Sequence, residues 1–177
     1  AKINLGSTKE NPSVGCVVEK NGSIISSGYT SINGRPHAEY NALNRNINFK
    51  NSNIYITLEP CSHFGKTPPC TNIIKSKKVK KVFYSINDID KKIIGKSFKI
   101  LRKNNIKVKR GLLKKKAKDL YNSYIINRKY KLPYVTAKIA ISKNKLIYSK
   151  GTKRITNQIS DKLSHYLRYK NDAIMIS

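Results

Sequence analysis

Three residues have the types and spacing of a zinc centre. His37 lies in "GRPHAEY", and Cys61 and Cys70 bracket the proline-rich loop "PCSHFGKTPPC". Imidazole and thiolate ligands together favour zinc. Three protein ligands leave one position of a tetrahedral ion open for water, as in catalytic sites, and zinc lowers the pKa of that water to about 7. The sequence therefore predicts a catalytic zinc ion held by these three residues.

Glu39 is the candidate proton carrier of this site. Side chains two positions apart at the start of a helix diverge by about 200°, so Glu39 and His37 are not expected to bind the same ion. Glu39 can instead reach the water on the zinc and pass its proton to a leaving amine. We therefore predict that Glu39 is catalytic.

Alternating strands and helices must position these residues. Val14–Val18 and Ile24–Tyr29 flank the turn dipeptide Asn21-Gly22 and predict a hairpin. "GRPHAEYNALNRN" then has helical spacing, with Pro36 near its start. The next elements are the strand "SNIYITLEP", the helix "PPCTNIIKSKK", the strand "KKVFYSI", the helix "GKSFKILRKNN" and the strand "IKVKRG". This order implies a mixed sheet with helices on both faces.

The pattern restarts near residue 129. "LLKKKAKDLYNSYIINRKY" predicts one amphipathic helix. It is followed by a predicted strand "LPYVTAKIAIS", a helix "NQISDKLSHYLRYK" and a strand "DAIMIS". One β-α-β unit is too small to bury its own faces. We expect one domain at residues 1–129 and an incomplete second domain at residues 130–177.

Composition restricts the partners and the compartment. The net charge of +28 would suit nucleic acid, but Lys, Asn and Ile are abundant throughout and runs such as "KSKKVKK" contain few aromatics. We interpret the excess as solvated surface and expect no nucleic-acid partner. The sequence contains no run of eighteen apolar residues, so we expect no membrane partner.

The three cysteines of the 177 residues do not suggest a disulfide framework. Cys16 lies in an apolar run and is expected in the core. Reduced thiols indicate the cytoplasm. Because the chain starts without methionine and stops at "DAIMIS", we expect a fragment of a longer protein.

The residues "HAE" and "PC" match the H-x-E and P-C-x-x-C signature of zinc deaminases that act on bases. Here eight residues rather than two separate the cysteines. With this longer loop, "NPSVGCVV", "GRPHAE", "TLEPCSHFGKTPPC" and "DAIMIS" closely resemble the bifunctional deaminase–reductases of riboflavin biosynthesis, over essentially the whole chain. The resemblance implies a three-layer α/β/α cytidine-deaminase-like domain, followed by an incomplete dihydrofolate-reductase-like α/β domain.

The resemblance also implies a reaction, the zinc-dependent hydrolytic deamination of a diaminohydroxyphosphoribosylaminopyrimidine to 5-amino-6-(5-phosphoribosylamino)uracil. The attack falls on the ring carbon that bears the 2-amino group, and Glu39 protonates the ring nitrogen and then the departing ammonia. Asn11 would lie against the pyrimidine, and His63 and Lys66 would face the substrate and its phosphate. Arg35 is a further phosphate candidate.

By the same resemblance, the second domain carries reductase residues. Ala140 and Arg154 would contact the NADP cofactor, and Thr152 and Arg168 the reductase substrate. However, "ISKNKLI" lacks an expected Asp-Gly, Arg154 replaces a tryptophan, and Asp161 stands where a basic residue is expected. Because most of the reductase is absent from these residues, we expect no reduction by this chain, and NADP only with an intact reductase domain.

Two other functions are compatible with the zinc ligands. The shared zinc core and the positive charge would suit deamination of a base in RNA, such as a tRNA adenosine, but the longer loop and the reductase-like tail disfavour it. A non-catalytic, zinc-stabilised binding module would use the same ligands without needing Glu39. Deaminases of this fold commonly pair through a helical face, so a homo-oligomer is also compatible with the resemblance.

Overall fold

The computed structural model describes residues 1–91, 93–147 and 155–176 of the chain. The chain divides into two compact units, Ala1–Tyr134 and Val135–Ser177. The predicted domain boundary after residue 129 falls at the end of the last helix of the first unit. No described helix combines the length and the apolar character that a membrane span requires.

A five-stranded mixed sheet forms the centre of the first unit. Its strands are β1 Gly15–Lys20, β2 Ser23–Tyr29, β3 Asn53–Leu58, β4 Lys81–Ile86 and β5 Lys107–Arg110. They lie in the order β2-β1-β3-β4-β5, with β1 antiparallel to both neighbours and β3, β4 and β5 parallel. The predicted hairpin is confirmed, and its turn residues Asn21 and Gly22 both have positive φ.

The helices and the strands alternate as predicted up to β5. The helical segments of the first unit are a 3₁₀ turn at Ile32–Gly34, α1 Ala38–Leu43, α2 Cys70–Ser76, α3 Lys96–Lys103, α4 Lys114–Leu120 and α5 Asn122–Tyr130. In the second unit, α6 spans Gln158–Tyr169, where the sequence predicts a helix.

Helices cover both faces of the sheet. The strand register places Gly28, Cys16 and Ile56 on one face. Helix α1 packs there, since Ser26 two residues before Gly28 donates a hydrogen bond of 2.6 Å to the carbonyl oxygen of Ala42. Side chains alternate along a strand, so Thr57 points to the opposite face, towards the residue that joins α4 to α5.

The single helix predicted for "LLKKKAKDLYNSYIINRKY" is wrong, because the segment forms α4 and α5 with a break at Tyr121. The buried hydroxyl of Tyr121 lies 2.6 Å from Thr57 Oγ1 and donates to the carbonyl oxygen of Ser13 at 3.1 Å. The helix therefore breaks where a buried side chain is anchored to the sheet.

The strands predicted for "LPYVTAKIAIS" and "DAIMIS" are also wrong, since the described residues of both segments belong to no strand. A strand must pair its backbone groups with a neighbour, and the described part of the second unit supplies none. Val135 is 80% exposed and Met175 is 99% exposed, so these side chains pack against little. A dihydrofolate-reductase-like fold for residues 130–177 stays a prediction.

Gly28→Ala tests how closely α1 must approach the sheet. An added Cβ would lie 2.5 Å from the backbone nitrogen of Ala42 and closer still to the carbonyl oxygen of Ala38. Backbone atoms cannot rotate away, so we expect the free energy of unfolding to fall by about 3 kcal/mol in urea denaturation. Ser27→Ala, at an exposed position of the same strand, is the control. Equal stability of both variants would contradict the close contact.

Candidate active site

Two helix starts and one strand end bring the three predicted zinc ligands together. His37 precedes α1, Cys61 follows β3 after two residues, and Cys70 is the first residue of α2. Nδ1 of His37 lies 3.4 Å from Sγ of Cys70 and 3.6 Å from Sγ of Cys61. Tetrahedral zinc bonds of about 2.3 Å to sulfur and 2.0 Å to nitrogen would separate these atoms by about 3.6 Å. Both distances therefore suit a zinc ion, and all three ligand atoms lie within 4.8 Å of one another.

The two cysteines differ in how readily they lose a proton. A hydrogen bond from the Cys70 thiol, aided by His37, lowers the pKa of Cys61 to about 4. The same contact, together with burial, raises the pKa of Cys70. The hydrogen bond to Cys61 raises the pKa of His37. A divalent cation would displace the proton shared by the sulfurs and leave both as thiolates.

Glu39 lies in the first turn of α1 and is 3% exposed. Burial, reinforced by the charge of Cys61, raises the pKa of Glu39 to about 7. Glu39 lines the same cleft as His37 and Cys61. A carboxyl group with this pKa can both hold and release a proton near neutral pH, which suits general acid–base chemistry.

The substrate residues predicted from the resemblance are distributed around this cleft. Asn11 and His63 line it, and Nδ2 of Asn11 donates to the carbonyl oxygen of Gly34 at 3.0 Å. Lys66 lies on the loop between the cysteines but is exposed and is not among the lining residues. Arg35 lines the cleft and donates to the hydroxyl of Thr67.

Asp88, Tyr124 and Arg128 also line the cleft, and sequence reasoning missed them. The hydroxyl of Tyr124 donates to Asp88 Oδ1 at 3.0 Å, and Nη2 of Arg128 donates to the carbonyl oxygen of Glu10 at 3.2 Å. Burial raises the pKa of Asp88. Asp88 lies two residues after the end of β4, in the parallel part of the sheet, where binding residues gather, and that signal could have identified it. No sequence signal places α5 against this cleft.

The predicted reductase residues belong to the second unit. Ala140 is half-buried, Arg168 is exposed in α6, and both stay predictions as NADP and substrate contacts. Thr152 and Arg154 lie outside the described residues. Asp161 lies in the first turn of α6, where the helix dipole favours a carboxylate, and accepts a 3.0 Å hydrogen bond from Thr156.

Zinc affinity is expected to rise with pH. The raised pKa of Cys70 keeps its proton on through neutral pH, so zinc must displace one proton there. The association constant should therefore rise about tenfold per pH unit where only Cys70 is protonated, and more steeply at lower pH, where His37 is protonated too. Titration against a competing chelator measures this, with Cys16→Ala as the control that removes a thiol outside the cluster. An affinity independent of pH would contradict the protonation pattern.

The first unit matches known zinc deaminases in sequence. Residues 2–86 match the family model of the cytidine and deoxycytidylate deaminase zinc-binding region. The chain is 43% identical over 129 residues to the diaminohydroxyphosphoribosylamino-pyrimidine deaminase of Buchnera aphidicola subsp. Schizaphis graminum, which covers 72% of this chain and 87% of that relative. It is 37% identical over 179 residues to the riboflavin biosynthesis protein RibD of Aquifex aeolicus, covering 99% of this chain and 50% of that relative.

Solved structures agree with these relatives. RibD of Acinetobacter baumannii superposes with a TM-score of 0.85 at 33% identity, over 97% of this chain and 49% of that chain. The deaminase/reductase of Thermotoga maritima has a TM-score of 0.86 at 33% identity, over 94% of this chain and 49% of that chain. The chain therefore spans about half the length of these RibD proteins. It belongs to the family of diaminohydroxyphosphoribosylamino-pyrimidine deaminases, which includes the RibD proteins.

Proposed function

We propose that the first unit deaminates a diaminohydroxyphosphoribosylamino-pyrimidine to 5-amino-6-(5-phosphoribosylamino)uracil, a step of riboflavin biosynthesis. The observation that carries the proposal is the buried carboxyl group of Glu39 in one cleft with a His/Cys/Cys cluster that fits zinc. The substrate class comes from the name of the Buchnera relative, of which the match covers 87%.

The chemistry divides between the metal and the protein. Zinc held by His37, Cys61 and Cys70 would supply an acidified water at neutral pH. Glu39 would hold and release the protons that the ring nitrogen and the leaving amino group need. Overall, a bond from the ring carbon to oxygen forms, the bond to the 2-amino nitrogen breaks, and ammonia leaves. Burial raises the pKa of Glu39 and so favours the protonated form that can donate to the leaving group.

The remaining residues of the cleft would orient the substrate. We expect Asn11, whose side chain donates a hydrogen bond to Gly34, to contact the pyrimidine. We expect His63, which lines the cleft, to contact the ribosyl phosphate, and Lys66 would reach it only from the exposed loop. Reduction of the ribosyl group with NADPH would belong to a whole RibD protein, which is about twice as long as this chain.

Glu39→Gln tests the proposal. The zinc-loaded chain should release ammonia from the diaminopyrimidine substrate, and the variant should lose about 10³-fold of that rate because it cannot transfer protons. Zinc content and the melting temperature should stay close to those of the unmodified chain, since Glu39 is not a ligand. Glu10→Gln, which alters an exposed carboxylate outside the cluster, should retain the rate.

The other outcomes separate the alternatives. No ammonia release from a folded, zinc-loaded chain would contradict the proposed reaction. Deamination of a tRNA adenosine by the same preparation would then establish the RNA-directed function. Zinc binding with no turnover of either substrate, and no effect of Glu39→Gln, would indicate a non-catalytic zinc module.

A further inference from the structure

Glu59 is a buried carboxyl group of the cleft that the proposed reaction does not use. It is 3% exposed, lines the cleft and lies two residues before the predicted zinc ligand Cys61. Burial of a polar side chain is costly unless hydrogen bonds satisfy it, so the partners of Glu59 indicate its role. Three hydrogen bonds join its side chain to residues between 88 and 97.

The two oxygens of Glu59 hold both ends of the segment that joins β4 to α3. Oε2 accepts hydrogen bonds from the backbone nitrogen of Asp88, at 3.3 Å, and from that of Gly95, at 3.1 Å. Oε1 accepts one of 2.7 Å from the hydroxyl of Ser97, in the first turn of α3. The backbone nitrogen of Glu59 also donates to the carbonyl oxygen of Ile86, the last residue of β4, at 2.9 Å. One residue therefore closes the loop between the strand and the helix.

The start of α3 depends on this carboxyl group. Gly95, the residue before the first helical residue, has no side chain that could cap the helix, and its φ is 71°. The first N–H groups of a helix have no partner within the helix. Glu59 supplies the missing acceptor from the end of β3, and Ser97 shares it. Loss of this acceptor would leave two buried donors of the helix start without their partner.

The segment held by Glu59 forms part of the cleft. We name its described residues, 88–91 and 93–95, the wall segment. Three of its residues line the cleft: Asp88, Asp90 and Ile93. Asp88 is 3% exposed, and its Oδ1 atom accepts a hydrogen bond of 3.0 Å from the hydroxyl of Tyr124. The backbone position that Glu59 fixes at Asp88 therefore also determines where this buried pair lies in the cleft.

We propose that Glu59 is a positioning residue that holds the wall segment in place and so sets the shape of the substrate cleft. The inference rests on the proposed function for the identity of the substrate. Glu59 acts as a hydrogen-bond acceptor and carries no proton to the reacting atoms. Because it lies between β3 and Cys61, it ties the wall segment to the same strand end that carries a metal ligand.

Two substitutions of Glu59 separate hydrogen-bond geometry from charge. In Glu59→Gln, the amide oxygen can take the place of Oε2 and accept from both backbone nitrogens. The amide nitrogen can then donate to the hydroxyl of Ser97, which is able to accept. Glu59→Met has a side chain of similar length but no comparable acceptor, so it leaves two buried N–H groups without a partner. The first variant should keep the wall segment in place, and the second should release it.

The KM of the deamination is the kinetic readout. Glu59→Met should raise KM about tenfold and change kcat by less than about threefold, because a displaced wall weakens the binding of substrate and transition state alike. Glu59→Gln should restore KM to within about threefold of the unmodified chain. Zinc content should be the same in both variants, and assays at a temperature where each is fully folded exclude lost stability as the cause. Equal impairment of the two variants would overturn the inference, since it would assign the effect to the charge or to a proton of Glu59.

Glu19→Met is the matched control. Glu19 also accepts a backbone hydrogen bond, of 2.8 Å from Gly22, but it does not belong to the described lining of the cleft. Its Met variant should therefore leave KM unchanged. Ser97→Ala removes one of the three hydrogen bonds and keeps the test decisive if Glu59→Met does not fold. It should raise KM about two- to fivefold, and an unchanged KM would contradict the inference.

Amide hydrogen exchange of the zinc-loaded chain separates this inference from the proposed function. Glu59→Met should speed exchange at the amides of Asp88 and Gly95 about tenfold or more, while the amides of β1 keep their protection and Glu59→Gln shows a smaller change. If exchange responds in this way but the unmodified chain releases no ammonia, the proposed function fails and the anchoring of the wall segment stands. If the chain deaminates its substrate and Glu59→Met alters neither exchange nor KM, the proposed function stands and the inference is overturned. Faster exchange with an unchanged KM would also overturn it, because the anchoring would then have no effect on the cleft.

Discussion

Convergence of the zinc ligands depends on how the start of α2 is held. Sγ of Cys61 accepts a hydrogen bond of 3.2 Å from the backbone nitrogen of Cys70, and the carbonyl oxygen of Cys61 accepts one of 3.2 Å from Thr71. The first N–H groups of a helix have no partner within the helix, so Cys61 supplies what a capping residue normally provides. Cys61, which lies shortly after β3, thus both caps α2 and offers a metal ligand. Metal binding is therefore coupled to local folding.

The start of α1 shows how two opposing effects set the chemistry of Glu39. A carboxylate in the first turn of a helix is stabilised by about 0.3–1 kcal/mol through the helix dipole. Burial of an ionised group without a full set of partners costs several kcal/mol. Burial is the larger effect, and the pKa of Glu39 accordingly rises to about 7 rather than falling. The close contact of α1 with Gly28 maintains this burial, so packing at the sheet contributes directly to acid–base function.

The features that followed from local sequence could be predicted, and those set by distant packing could not. Asn21-Gly22 determines its turn by backbone preference alone, and the helix starts near Pro36 and Pro69 carry recognisable signals. The break falls at Tyr121, whose hydroxyl contacts Thr57, far away in sequence, and helical periodicity could not reveal such a contact. The position of Tyr124 in the cleft likewise depends on where α5 packs. The unpaired segment around Val135 shows that strand propensity does not produce a strand without a partner.

The excess positive charge and the cleft occupy different parts of the first unit. Lys107, Lys109 and Arg110 are exposed on β5, which is an edge strand of the sheet. Charged side chains at a sheet edge hinder pairing with another chain, so part of the excess has a structural use. Four of the nine carboxyl groups of the chain line the cleft instead, and those that are ionised would repel the continuous phosphate backbone of RNA. A small substrate with a single phosphate meets this repulsion at one point only.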